Sequence, residues 1–363
     1  MLGKASWVVW SLILRDKRNG AGRRRMRAGI LIGALLAVSH SVMGAQACTT
    51  QARMTSEIRN GLSDAALNLA QAVQQGDGSK VQGMTIAEFS DAAAFAPTMS
   101  LVRATSTRLA NDALHVTQIY ELDASSRGAG DASDADFSCP LIGSTSETDF
   151  AIPGLPRGLY GFAMVEATGD HPSLLSFLLR QDGGVWKLAG FYPRATTAAG
   201  HDGAWYWKSA RTYAKADELW LAWIFYGEAA ELLRPANFVT STNLDRLLSE
   251  RRTAAPPELI GGIGQNNPLV VKAMDSKAGM SEYRLTDLSA AGSEDDKELN
   301  LILHLQVQDV SDPVIITARS KAAAQAVLDA HMELRQAFHG VWVFAGLQGH
   351  EPLVTEETIS NIP

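Results

Sequence analysis

Residues 203–235 read GAWYWKSARTYAKADELWLAWIFYGEAAELLRP and hold four of the eight tryptophans: Trp205, Trp207, Trp220 and Trp223. The stretch predicts a helix, a turn at Ala216-Asp217, and a second helix that stops before Pro235. In the second helix Leu219, Ala222, Trp223, Tyr226, Ala230 and Leu233 share one face, and Trp220, Ile224 and Phe225 add bulk on the others. A helix apolar nearly all round needs burial on more than one side. The first helix carries Lys208, Arg211 and Lys215 and keeps a solvated face. Asp217 is expected to cap the second helix, and Asp202 the first.

Tyr206, Ala210, Tyr213, Ala222, Tyr226 and Ala229 follow the spacing of a tetratricopeptide repeat, which this hairpin resembles. Pro235 comes one place later than that pattern wants, and Ala210 stands where its glycine is usual. A second or third copy is absent, and such arrays need about three units to bury a continuous core. The hairpin is therefore expected to be part of a domain core. Trp205 and Trp207 are its candidates for touching a partner.

Upstream, Arg23, Arg24, Arg25 and Arg27 precede an apolar run at 28–38, and Ala45-Gln46-Ala47 offers a small-residue cleavage site. Residues 1–47 thus read as an export signal, of which 1–25 reflects an early start codon if Met26 opens it. Without that segment the charge is 24 Lys+Arg (32 − 8) against 38 Asp+Glu (39 − 1), or −14. So acidic a chain argues against nucleic acid, which wants a basic face. Membrane contact is expected only through the signal segment or a lipid on Cys48.

Cys48 and Cys139 are the two cysteines. In an oxidising compartment they are expected to pair. The alternative is a lipoprotein, since Cys48 follows Ala47 as a lipid-bearing cysteine would, although the preceding residues lack the usual leucine. The expected location is periplasmic or secreted, with an anchored lipoprotein as alternative.

Residues 55–75 predict a helix with Ile58, Leu62, Ala66, Leu69 and Val73 as its stripe, followed by a short helical piece at 84–95. Residues 114–122 predict a strand with Val116, Gln118 and Tyr120 on one side, and 123–138 an exposed loop. Strands follow at 158–167, 174–180 and 185–192, the last two joined by Gln181-Asp182-Gly183-Gly184, a hairpin signal. A helix followed by a bent antiparallel sheet ending in LLRQDGGVWKLAGFY resembles the NTF2-like (cystatin-like) fold. The resemblance implies a conical pocket that hosts enzymes, ligand binders or interaction domains, with an Asp or His inside the cone in the enzymatic members. It assigns that role to no residue here.

Beyond the hairpin a helix is expected at 242–252, strands at 282–288 and 299–308, a helix at 320–339 and a last strand at 341–347. Gly184-Val185-Trp186-Lys187-Leu188-Ala189-Gly190 and Gly340-Val341-Trp342-Val343-Phe344-Ala345-Gly346 agree at five of seven positions. The echo is compatible with two related sheets or with chance.

The expected fold class is α+β: a helix-packed, bent antiparallel sheet (48–195), a helical hairpin with a linker helix (196–253), and a second, smaller α+β region (254–363). Catalytic signatures are missing. The chain has no H-E-x-x-H, C-x-x-C, G-x-S-x-G or S-x-x-K. Ile260 to Pro268 lacks the Lys-Ser/Thr ending of a phosphate loop. No catalytic, cofactor or metal residue is assigned. The expected role is a non-catalytic exported protein binding a small ligand or a protein. The alternative is a hydrolase or isomerase with its acid/base group inside an NTF2-like pocket.

Overall fold

The computed structural model describes residues 47–363 apart from 110, 276–278, 294 and 348–349. Of the segment read as an export signal, residues 1–46 lie outside the described residues, and Ala47 of the expected cleavage site opens the first strand.

The chain is mixed α+β, with several sheets of antiparallel strands. The N-terminal half has three layers. One is helical: α1 (Ser56–Gln74), α2 (Gly78–Gly83) and α3 (Ala92–Ser106). Thr55 caps α1, its hydroxyl accepting from the Ile58 N–H. The helical piece expected at 84–95 is instead a 3₁₀ turn (Ala87–Phe89) followed by α3, which runs through Pro97 to Ser106; the Asp91 carboxylate caps it, accepting from the Ala93 and Ala94 N–H groups.

The middle layer is a five-stranded sheet. Its strands are β1 (Ala47–Thr50), β2 (Ala113–Asp123), β5 (Leu159–Thr168), β6 (Ser173–Asp182) and β7 (Val185–Ala195), in the order β1-β2-β5-β6-β7. A bulge between Val116 and Gln118 breaks the alternation expected for β2. Val116 and Ile119 therefore pack with the helices, while Tyr120 and Leu122 face the other way. Gly161 on β5 makes room for α1: a Cβ there would overlap the Leu62 side chain.

The third layer is a small sheet of β3 (Ala135–Pro140), β4 (Glu147–Ile152) and β10 (Val239–Ser241), ordered β10-β4-β3. Between it and the middle sheet Tyr120, Phe150 and Phe162 stack edge to face. The loop from β2 to β3 winds around Arg127, whose buried guanidinium donates to the carbonyls of Asp131, Ser133 and Asp134.

The C-terminal half centres on β11 (Leu269–Asp275), β12 (Gly279–Gly292), β13 (Leu299–Gln306), β14 (Gly340–Gly346) and β15 (Leu353–Thr358), in that order. All neighbours are antiparallel except β13 and β14. Those two are joined through α7 (Pro313–Ala330), capped by Asp312. The helix expected at 320–339 is thus displaced. It starts earlier and ends before His331, and a separate short turn, α8 (Leu334–Ala337), follows. The strand β15 had no clear sequence signal.

The central stretch forms α4 (Gly203–Lys215) and α5 (Leu219–Leu233), with α6 (Thr242–Thr253) beside them. Asp217 does not cap α5; it takes a left-handed conformation (φ 63°) in the turn instead. Helix α5 is buried nearly all round. Trp220, Trp223, Phe225 and Tyr226 share one apolar core with Leu285, Leu301 and Leu303 of the sheet and Val327 of α7. The hairpin therefore packs as the cover of the C-terminal sheet. Its link to the first half runs through β10, which pairs with β4, and through Arg194 at the end of β7, which meets Glu231 at 3.1 Å.

Candidate functional site

Cys48 and Cys139 are joined in a disulfide across a sequence separation of 91, with Cα atoms 5.3 Å apart. The bridge ties β1, paired with β2, to β3 in the other sheet. One sulfur cannot carry both a disulfide and a thioether-linked lipid, so the bridged form excludes a lipid on Cys48. A disulfide fits an exported protein. Among the described residues no helix is long and apolar enough to cross a membrane.

Trp205 and Trp207 both lie on α4 and have different surroundings. Trp207 is turned inward. Its indole N–H donates to Glu250 Oε2 at 2.8 Å, and its ring lies under the guanidiniums of Arg211 (4.5 Å) and Arg246 (5.7 Å). Glu250, on α6, also accepts two hydrogen bonds from Arg211, both at 2.7 Å, one from Arg246 at 3.2 Å and one from the Tyr226 hydroxyl at 3.4 Å. The Arg211 hydrogen bonds, helped by Trp207 and Arg246 and opposed by burial, draw its carboxyl down to about 2. Trp207 thus belongs to a network that staples α4 to α6.

Trp205 points out and is 40 % exposed. It is presented by a small hairpin, β8 (Thr197–Ala198) and β9 (His201–Asp202), just before α4. The two turn residues, Ala199 (φ 50°) and Gly200 (φ 72°), are both left-handed, as a tight two-residue hairpin requires. For alanine this conformation costs about 1–2 kcal/mol. The hairpin is held from several sides. The Thr197 hydroxyl donates to Asp296 Oδ2 at 2.6 Å, and Asp296 is itself left-handed (φ 56°). The buried Tyr206 hydroxyl donates to the Ala198 carbonyl at 2.8 Å. Burial, with Glu228 and Asp296 nearby, pushes that phenol far above its usual range. Asp202 caps α4, accepting from the Trp205 N–H at 2.7 Å. His201 then lies flat on the Trp205 ring, at 3.8 Å and 5°. Two of the three left-handed non-glycine residues among those described thus meet beside one exposed aromatic pair.

Sequence reasoning placed Asp202 as the cap of α4, as found, and missed the stacking of His201 on Trp205. It also missed Glu250. The Arg246–Glu250 spacing on one helix face was the legible part of that signal; the Arg211 bond from another helix was not.

Elsewhere the ionisable groups are dispersed. The helix-covered face of the five-stranded sheet is filled by apolar side chains, including Ile119, Val165, Leu175 and Phe177. Asp112, Asp170 and His171 gather at one end of that sheet. Burial first, then the Asp170 charge, raises the Asp112 carboxyl, with His171 opposing. His331 lies against Trp220 with ring centres 3.8 Å apart and the planes tilted by 32°, and burial lowers its pKa against the pull of Glu333 and Glu258. Among the described residues no group of three or more His, Cys, Asp or Glu is placed to hold a metal ion.

No family model, no curated protein and no solved structure matches this chain.

Proposed function

We propose that this is an exported, non-catalytic binding protein of the cell envelope that engages a protein partner through the outer side of α4. The observation that carries this reading is Trp205. Its large apolar ring stays 40 % exposed, stacked on His201, at the end of a turn that holds strained backbone in place. Backbone strain kept by surrounding contacts is concentrated at functional sites, and tryptophan is enriched among the residues that dominate binding energy. The other aromatic side chains of the hairpin are buried or half-buried in the core, and Trp205, which meets Tyr206 edge-on at 5.0 Å, is the exposed one.

The N-terminal half enters this proposal as an NTF2-like scaffold rather than a pocket. A hydrolase or isomerase of that kind needs an ionisable group inside the cone. The side chains that fill the corresponding face are apolar, which favours the binding reading.

The test replaces Trp205 with a photo-crosslinking residue in the native host, beside a Trp205→Ala variant. Trp205→Ala is expected to fold, with a stability loss under about 1 kcal/mol, and to lose the partner that the crosslinker captures at 205. A Trp205→Ala chain that keeps that partner at unchanged affinity, or that unfolds, overturns the proposal.

A further inference from the structure

The exposed residues of α4 form one ridge. Trp205, Lys208, Thr212 and Lys215 recur at i, i+3, i+7 and i+10 and all face solvent. Helix α4 contains three cations, Lys208, Arg211 and Lys215, and no carboxylate. Beside the ridge, Arg246 of α6 is 63 % exposed and shares the single carboxylate of Glu250 with Arg211. Two guanidiniums on one carboxylate leave a positive surplus. Among the described residues neither Lys208 nor Lys215 has a carboxylate partner. A basic strip on a chain that carries −14 over residues 48–363 (24 − 38) is a local reversal of sign.

We infer that this ridge binds a short acidic segment of a polypeptide. The inference rests on the binding reading of α4 and adds the chemistry of the partner. From 205 to 215 the ridge spans about 15 Å, the length of four or five residues of extended chain at about 3.3 Å each. Alternate carboxylates of such a segment would meet Lys208, Arg246 and Lys215, and Trp205 would cover its apolar end. A flat anionic membrane fits less well. Asp202 caps one end of the ridge, and Asp217 and Glu218 follow the other. A broad surface would press all three carboxylates against like charge, whereas a single strand lying between them would not.

The test titrates a labelled oligo-glutamate peptide, an oligo-lysine peptide, a Ser/Gly peptide of equal length and phosphatidylglycerol vesicles against the disulfide-bonded chain. Expected is saturable oligo-glutamate binding that weakens as salt is raised. It should fall about tenfold or more in Lys208→Glu/Lys215→Glu, whose sites are exposed and leave the fold intact. Lys208→Arg/Lys215→Arg should restore it. Binding confined to vesicles, or oligo-glutamate binding unchanged by the charge reversal, overturns the inference. Preference for the lysine or neutral peptide, abolished by Trp205→Ala, would remove the acidic partner and leave α4 as a binding surface. No binding of any probe would also overturn it, while the crosslink from 205 still judges the wider reading.

Discussion

The segments Gly184-Val185-Trp186 and Gly340-Val341-Trp342 open two strands of nearly the same sequence, and the strands do opposite jobs. β7 lies at the edge of its sheet and runs antiparallel to β6. β14 lies inside its sheet, parallel to β13 and antiparallel to β15. What differs is the connection. Gly183 and Gly184, both left-handed, form a two-residue turn that returns the chain beside itself. The 18-residue α7 instead carries the chain back over the sheet before β14 begins. Local sequence makes a strand, and the connection decides its direction and neighbours. The echo is therefore not evidence that the halves are copies.

The halves also differ in how they are closed. The N-terminal sheet is covered on both faces, and a disulfide joins its edge to the covering sheet. The C-terminal sheet has no covalent tie, and the aromatic helix α5 covers it. If the halves rest on these different devices, breaking each should act on its own half. Removing the bridge by Cys139→Ser should have the largest effect, about 4.5 kcal/mol from the loop entropy of a sequence separation of 91. Hydrogen exchange should accelerate first in β1, β2 and β3. Equal acceleration in β13 and β14 would mean that the halves unfold as one and the comparison fails.

The matching break in the other half is Phe225→Ala. Phe225 is 3 % exposed and packs against Tyr206, Tyr213 and Phe338. Its truncation should cost about 3–5 kcal/mol, read by denaturant unfolding. Exchange should rise in β12 to β14 with the disulfide intact and β5 and β6 still protected.

Why some of this was legible and some not follows from the range of the forces involved. The hairpin was legible because α5 is apolar nearly all round and Asp202 caps α4 from three residues away; both are local signals. The fold of 55–75 was legible for the same reason. The cover of the C-terminal sheet was not, because it depends on residues far apart in sequence, such as those that pack α5 against β12. The β2 alternation failed because a one-residue bulge inverts every later side chain. At the candidate site, the paired cysteines were readable from compartment chemistry. The division between Trp205 and Trp207 was not, since it turns on Glu250, 43 residues beyond Trp207.

That division can be sharpened by pH. The folded-state pKa of Glu250 is depressed from its ordinary value of 4.5 to about 2. The stability it contributes is therefore present above pH 4.5 and is lost as pH falls from there toward 2. Wild type should lose stability across that window, and Glu250→Gln should lose less of it, with the difference read from midpoints of urea unfolding at successive pH values. Parallel curves for the two proteins would remove the staple from the account of Trp207.

The smallest effect expected is the most discriminating for the exposed tryptophan. Ala199 sits at φ 50°, and glycine would relieve a conformational cost of about 1–2 kcal/mol. The freer unfolded chain would take back about 0.5–1 kcal/mol. Ala199→Gly should therefore stabilise the fold by about 0.5 kcal/mol. The β8–β9 turn places His201 against Trp205, however, and the same substitution loosens it. If the turn is preorganised for binding, affinity at α4 should fall while stability rises, because ordering the turn would now be charged to the complex. Stability and affinity rising together would make the strain at Ala199 an accident of the fold and leave Trp205 without its support.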